Sequence, residues 1–97
     1  MIRHVALFTW TDDMTDEMER QFAAELTALA PKLAGLRSYH AGTDLGIIEG
    51  NFDFAVVADF DDAESYLAYR DNAEHKGIIS RLSGPRVKSR ASVQYEI

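Results

Sequence analysis

Hydrophobic and polar residues alternate along the chain with two different periods, and the shorter period marks four strands. Runs rich in β-branched and aromatic residues occupy residues 2–10, 36–43, 52–60 and 87–95. The first and third runs are apolar at both odd and even positions, which is typical of central strands covered on both faces. The last run alternates small or apolar residues with polar ones, so one of its faces is expected to contact water.

Helical spacing separates the first two strands. Apolar residues recur here every three or four positions, which is the pattern of an amphipathic helix. The stripe consists of Met18, Phe22, Leu26, Leu29 and Leu33. Thr15 has the position and chemistry of an N-cap. Pro31 cannot continue a regular helix, so this helix is predicted to end or kink near residue 29 or 30.

Two short helices are predicted between the third and fourth strands. Asp61 and Glu64 have the spacing of a capping box and predict a helix that runs to residue 70. Asp71 and Glu74 repeat this spacing and predict another helix that runs to about residue 82. The order βαββααβ indicates an α+β, ferredoxin-like fold with a four-stranded antiparallel sheet, as a single domain over residues 1–97.

Helices in this topology cover one face of the sheet and leave the other face open. The central strands nevertheless carry apolar residues on both faces, as Leu7 beside Phe8 and Val57 beside Val56 illustrate. An exposed apolar face of this kind usually marks an interface. We therefore predict a homodimer in which two sheets pack against each other.

Composition and charge narrow the function classes. The 97 residues are 46% hydrophobic and 27% charged, which fits a folded domain and leaves no room for a second one. A net charge of −6 argues against binding nucleic acid. The chain has no cysteine and no convincing ligand cluster, so no metal site is expected. Its apolar runs are too short to span a membrane and no signal peptide is evident, so a cytoplasmic protein is expected.

Histidine supplies the first candidate chemistry. His75 lies on a predicted helix and is followed by Ile78, Ile79 and Leu82 at helical spacing, which places it on the inward stripe. An inward histidine is either a hydrogen-bonded core residue or a pocket residue, and the pattern leaves both interpretations open. His4, among apolar neighbours on the first strand, has the same two interpretations. His40 is expected at the surface.

Two tyrosines favour a pocket. Tyr66 and Tyr69 are one helical turn apart, and Tyr69 precedes His75 by six residues across the predicted helix break. A buried tyrosine needs a partner for its hydroxyl group. Tyrosine and histidine side chains at one helix junction can point into a shared apolar cavity, which is the usual composition of a small-molecule site.

The sequence resembles the stress-responsive A/B barrel (Dabb) family in three stretches: IRHVALF at 2–8, LAGL at 33–36 and YLAYRDNAEH at 66–75. The resemblance implies a ferredoxin-like protomer in a dimeric α+β barrel. One plant member of that family is a polyketide cyclase that works without metal or organic cofactor. By resemblance, Tyr69 and His75 correspond to its catalytic pair and His4 to a pocket histidine. Phe54 stands where the cyclase has another histidine, which implies a more apolar pocket.

Three functional hypotheses remain open. The first is binding of a small hydrophobic or polyketide-like molecule between helices and sheet, with Tyr66 and Ile79 beside the residues already named. The second is a cofactor-independent cyclase, in which His75 removes a proton α to a ketone and Tyr69 stabilises the developing charge. The third is a stress-induced structural dimer without a ligand. None of the three requires a cofactor.

Overall fold

The computed structural model describes all 97 residues and contains one antiparallel sheet of four strands. The strand order is β2-β3-β1-β4, so β1 and β3 are central. The strands are β1 (Ile2–Trp10), β2 (Leu36–Thr43), β3 (Phe54–Phe60) and β4 (Val87–Glu96). The predicted ferredoxin-like fold, with the chain order βαββααβ, is confirmed.

Three helices pack on one face of this sheet. They are α1 (Asp16–Leu29), α2 (Ala63–Asp71) and α3 (Ala73–Ile78). A single π-helical turn, Ile79–Ser83, extends α3. Short 3₁₀ turns at Ala30–Lys32 and Gly84–Arg86 lead into β2 and β4. Pro31 therefore ends α1 in the place that the sequence predicts.

The main core lies between α1, the π turn and the helix-facing side of β1 and β3. Its nine buried residues are Ala6, Phe8, Phe22, Leu26, Leu29, Phe54, Val56, Ile78 and Leu82. Three of them are phenylalanines, and Phe8 contacts Phe22 edge to face at a centroid distance of 6.3 Å. A smaller cluster of Ala58, Phe60 and Tyr69 continues the core beneath α2. The helix-facing side of the two central strands is thus apolar almost throughout.

Two helices begin one residue later than the sequence predicts. Asp62, rather than Asp61, caps α2 by accepting a hydrogen bond from the Ser65 amide at 2.8 Å. Asp61 instead forms an ion pair with Arg37 at 2.6 Å. Asn72, rather than Asp71, caps α3 by accepting from the His75 amide at 3.0 Å. In both cases an arginine binds the carboxylate that was predicted to be the cap, since Asp71 pairs with Arg70.

Strand β3 begins at Phe54 rather than at residue 52. The Asp53 carboxylate accepts a hydrogen bond from the Trp10 amide at 2.8 Å. The Asp53 side chain therefore occupies the Trp10 amide, which is the backbone donor that a longer ladder between β1 and β3 would use. Strands β1 and β2 have the bounds that the sequence pattern predicts.

The sheet face opposite the helices has no covering element within the protomer. Side chains of Val5, Leu7 and Val57 lie there only half-buried, although they belong to central strands. Val93 and Tyr95 on β4 are 53% and 46% exposed. This surface, called the open face below, combines apolar side chains with exposure to solvent, as the sequence predicts.

Gly35 forms a tight connection between α1 and β2. Its φ angle of +80° lies in the left-handed region that favours glycine. A Cβ atom at this position would lie 2.6 Å from the Cβ atom of Ser65 on α2. The Gly35 carbonyl also accepts a hydrogen bond from the Asp61 amide at 2.8 Å, so the backbone there is held in place.

We expect Gly35→Ala to lower the free energy of unfolding by about 2 kcal/mol or more, because it combines a strained φ angle with a steric clash. Urea denaturation measures the change. Gly77→Ala is the matched control, since Gly77 has no positive φ angle and open space around it; we expect it to be neutral or stabilising by about 0.5–1 kcal/mol. Equal unfolding free energies for Gly35→Ala and the wild type would contradict this account.

Candidate functional site

A histidine from the sheet and two tyrosines from α2 meet beneath the helix layer. His4 lies on the helix-facing side of β1 and is only 3% exposed. Its ring centroid lies 4.7 Å from that of Tyr66 and 6.2 Å from that of Tyr69. The two tyrosines are neighbours because residues three apart on a helix share one face. An ionisable ring is thus buried among aromatic side chains.

His75 joins this group through the break between α2 and α3. Asn72, with φ −60° and ψ 133°, ends α2 and caps α3. In one continuous helix, residues six apart would lie about 9 Å apart along the axis and about 120° apart around it. Across the break, the Tyr69 and His75 rings come to a centroid distance of 4.2 Å. The extended residue at position 72 therefore brings the two rings together.

Hydrogen bonds fix where the neutral histidines carry their protons. The His75 Nδ1 atom lies 3.3 Å from the Arg70 carbonyl oxygen, which can only accept. Nδ1 therefore carries the proton and Nε2 keeps a free lone pair. The His4 Nδ1 atom lies 2.8 Å from the amide nitrogen of Gln94, which donates. His4 consequently carries its proton on Nε2, so one ring offers an acceptor and the other a donor.

The Tyr69 hydroxyl group has a second tyrosine as its partner. The hydroxyl oxygens of Tyr39 and Tyr69 are 2.9 Å apart. Burial raises the pKa of both phenols, so both stay protonated at neutral pH. The hydrogen bond from Tyr39 acts in the opposite direction on the pKa of Tyr69, because it stabilises negative charge on the Tyr69 oxygen. When the Tyr39 hydroxyl donates the hydrogen bond between the two tyrosines, the hydroxyl hydrogen of Tyr69 is free to bond another acceptor.

Both histidines of the cluster are held neutral. Burial, assisted by the positive charge of Arg90 and by His75, lowers the pKa of His4 to about 4. Burial also lowers the pKa of His75, again with a contribution from Arg90 and against the effect of the Arg70 carbonyl. At neutral pH the two rings are therefore uncharged imidazoles.

These side chains enclose a cavity of about 50 Å³ between α2, α3 and the sheet. Its apolar wall comes from core residues, among them Phe8 and Val56. Its polar lining consists of His4, Tyr66, Tyr69, Arg70, His75 and Arg90. No carboxylate lines the cavity, and nowhere in the chain do three or more acidic or histidine side chains converge as a metal site would require.

Four of the six site residues proposed from the sequence meet in this cavity: His4, Tyr66, Tyr69 and His75. Phe54 and Ile79 do not line it, and both pack in or against the main core. Phe54 pairs with Phe8, whereas His4 pairs with Ala58. Four residues along a strand separate positions by about 13 Å, which places Phe54 at the other end of the sheet.

Four polar residues at the site were not identified from the sequence. Arg70 comes from α2 and Tyr39 from β2, while Arg90 and Gln94 come from β4. Arg90 and Gln94 belong to the alternating polar positions of β4, for which the sequence pattern predicts contact with water. In the register of the sheet these positions lie opposite Phe8 and His4, on the helix-facing side. Arg90, one of these alternating polar residues, therefore forms part of the cavity wall.

A wider surface depression of about 390 Å³ lies beside the loop between β2 and β3. It is lined by Leu7, Asp44, Asn51 and neighbouring residues, with no histidine or tyrosine among them. Because it lacks a pair of groups that can exchange a proton, it is a weaker candidate for chemistry than the smaller cavity.

Comparison with protein families and solved structures shows what this chain is similar to. The family model described as Stress Responsive A/B Barrel Domain matches residues 2–97. A dimeric ferredoxin-like protein of unknown function from Thermobifida fusca is 38% identical, with a TM-score of 0.90 over 99% of this chain and 90% of that one. The comparison with curated protein sequences returns no match.

More distant structures share the fold. A Dabb family protein from Mesorhizobium loti is 20% identical, with a TM-score of 0.77 over 99% of this chain and 95% of that one. Hydroxynitrile lyase from Passiflora edulis is 17% identical, with a TM-score of 0.82 over 99% of this chain and 92% of that one. No helix of the present chain combines the length and the apolar character needed to cross a membrane.

We expect the neutral burial of His4 to make stability depend on pH. The folded pKa of about 4 lies below the ordinary value of 6.5, so the unfolded chain takes up this proton first as the pH falls. The contribution of His4 to the free energy of unfolding is fully present at pH values above its ordinary pKa of 6.5, and it is lost as the pH falls toward 4. Allowing for solvent screening, we expect a loss of about 1–2 kcal/mol between about pH 7 and about pH 5.

Urea denaturation of the wild type and His4→Gln at both pH values measures this contribution. The two proteins share the same carboxylates, so the difference between their pH dependences isolates His4. We expect the pH dependence of His4→Gln to be smaller than that of the wild type. An unchanged dependence in His4→Gln would show that the ring is not held neutral by burial.

Proposed function

The chain belongs to the stress responsive A/B barrel domain family, and we propose that it binds a small, largely apolar molecule with a carbonyl group, such as a polyketide fragment. The convergence of His4, Tyr66, Tyr69 and His75 on one cavity supports this proposal. Core residues supply an apolar wall, and the polar lining consists of tyrosine, histidine and arginine side chains without a carboxylate. Such a composition suits a ligand that is mostly hydrocarbon with one polar end.

The protonation states favour a carbonyl oxygen at that polar end. The Tyr69 hydroxyl and the His4 Nε2–H group are both donors, and both are neutral at pH 7. The Tyr69 hydroxyl has one partner, the Tyr39 hydroxyl, and His4 is bonded through Nδ1, so the Tyr69 O–H and the His4 Nε2–H can each donate to an acceptor that enters the cavity. A ketone or thioester oxygen is such an acceptor and brings no charge into the apolar part of the cavity.

A second candidate is acid–base catalysis of the cyclase type, and the contact between His75 Nδ1 and the Arg70 carbonyl favours it. This contact leaves the Nε2 lone pair of His75 as a base. In the proposed step, Nε2 takes a proton from the carbon next to a carbonyl, and the C–H electrons form the enolate. Tyr69 donates a hydrogen bond to the enolate oxygen. The enolate carbon then attacks a second carbonyl carbon of the same molecule, and the resulting alkoxide takes the proton from His75 Nε2, which returns the imidazole to its neutral form.

The fold is compatible with enzymes as well as binding proteins. One structural neighbour with this fold, from Passiflora edulis, is a hydroxynitrile lyase. At 17% identity it supports only the shared fold and assigns no reaction to this chain.

We expect 2-butanone to bind in the cavity and to shift the ring-proton resonances of His4 and His75 in NMR titrations. Tyr69→Phe and His4→Gln should each weaken this binding by about ten-fold, the cost of one hydrogen bond to the ketone oxygen. His75→Gln should keep the wild-type affinity, because the free Nε2 of His75 can only accept and the ketone has no donor. Tyr95→Phe and His40→Gln change the same residue types on the open face and serve as controls. Wild-type affinity in Tyr69→Phe and His4→Gln would contradict the proposed site.

The same samples test catalysis in D₂O. If His75 acts as the base, the wild type and Tyr95→Phe accelerate deuterium exchange at the carbons next to the ketone, and His75→Gln does not. Ketone binding without accelerated exchange would support the binding function and contradict the catalytic one. A stable dimer that binds no ketone would instead favour the purely structural hypothesis.

We further propose that two copies of the chain associate through the open face. Val5, Leu7 and Val57 form an apolar centre on this face, and Val93 extends it onto β4. Solved structures of this fold, including the one from Thermobifida fusca, are described as dimeric. Association would remove these side chains from water at about 25 cal/mol for each Å² of apolar area.

Sedimentation at micromolar concentration tests the dimer. We expect the wild type at twice the protomer mass of 10.9 kDa and Val93→Lys at the protomer mass, because the lysine charge would be buried between sheets. Val93 is 53% exposed in the protomer, so this change should not unfold it. Ala24→Lys adds the same charge to the exposed surface of α1 and should remain dimeric. A dimeric Val93→Lys protein would place the interface elsewhere.

A further inference from the structure

We propose that the ligand also carries a carboxylate or an equivalent anionic group, and that Arg90 binds it at the edge of the cavity. This inference rests on the proposed binding function and specifies the class of ligand. Three observations support it: the position of Arg90, its lack of an acidic partner and the absence of carboxylates from the cavity lining.

Strand β4 places the Arg90 side chain on the helix-facing side of the sheet. In the register of the sheet Arg90 lies opposite Phe8, and its guanidinium carbon is 5.8 Å from the centre of the Phe8 ring. This distance permits a cation–π contact. Arg90 lines the cavity with His4 and His75, yet it is itself exposed. It therefore stands where the cavity meets solvent.

The charge of Arg90 is not neutralised within the chain. Five other arginines form ion pairs with aspartate or glutamate, and Arg90 forms none. Its side chain donates one hydrogen bond, to the Ser92 hydroxyl at 3.1 Å. The second arginine at the cavity, Arg70, is paired with Asp71 at 3.1 Å. In a chain with 16 acidic residues, a cation that faces a cavity without a carboxylate is available to an external anion.

The geometry suits a carboxylate in particular. The guanidinium group lies over the Phe8 ring, and its only hydrogen bond within the chain is the one to Ser92, so its other N–H groups remain free. A carboxylate accepts two parallel hydrogen bonds from such an edge. With its anionic end at Arg90, a short ligand extends its apolar and carbonyl part toward Tyr69 and His75. The cavity thus combines an anion site at its mouth with neutral donors inside.

Binding of an anion has a second consequence that can be measured. The charge of Arg90 contributes to the lowered pKa of both His4 and His75. An anion on Arg90 offsets that charge, so the pKa of each histidine should rise when the ligand binds. A neutral ligand of the same shape would leave the influence of Arg90 unchanged. The direction of the histidine titration therefore distinguishes an ion pair with Arg90 from binding elsewhere.

Isobutyrate and isobutyramide test the proposal, because they have the same shape and differ in charge. We expect the wild type to bind isobutyrate about ten-fold more tightly than isobutyramide at neutral pH. Arg90→Gln should bind the two equally, with an affinity for the amide that matches that of the wild type. Arg20→Gln removes an equal charge from an exposed position on α1 and should keep the preference.

The possible outcomes separate this inference from the proposed function. Equal binding of acid and amide by the wild type, or a preference that survives in Arg90→Gln, would overturn the role of Arg90 and leave the cavity as a site for neutral ligands. If neither probe nor 2-butanone shifts the His4 and His75 resonances, the binding function itself fails and this inference fails with it. A rise in the pKa of both histidines with isobutyrate alone would support the ion pair.

Discussion

Strand β1 has a hydrogen-bonded strand on each edge and apolar side chains on each face. Both of its faces therefore have to be covered to remove these side chains from water. On one face the helices cover Ala6 and Phe8. On the other face Val5 and Leu7 have no covering element within the protomer. His4 lies on the covered face of the same strand, so the fold must bury an ionisable ring to bury its neighbours. Both the open face of the proposed dimer and the cavity arise from this one strand.

The sequence was sufficient for the fold because the fold depends on local periodicity. Strands β1 and β2 and helix α1 have their predicted bounds, since apolar spacing, Thr15 and Pro31 act within a few residues of one another. The helix caps were displaced from Asp61 to Asp62 and from Asp71 to Asn72. Choosing between adjacent polar residues requires knowing which carboxylate binds an arginine, and the spacing alone does not contain this information.

The candidate site was only partly predictable, for a related reason. Tyr66, Tyr69 and His75 lie on one short segment, and the family resemblance drew attention to that segment. Gln94 contacts His4 across 90 positions of sequence, a pairing that depends on the register of β4. The position of Arg90 at the cavity depends on the same register of β4. Alternation along β4 indicated which residues share a face, but it could not indicate that the polar face lies toward the helices.

The helix break at Asn72 has a consequence for the energetics of any reaction at this site. Because backbone angles at one residue bring Tyr69 and His75 together, their alignment is established during folding and not when a ligand arrives. A ligand then loses only its own freedom on binding, without having to immobilise two mobile side chains at a typical entropic cost of about 0.5–1.5 kcal/mol each. The amide side chain that caps α3 thereby acts as a preorganising element, although it takes no part in lining the cavity.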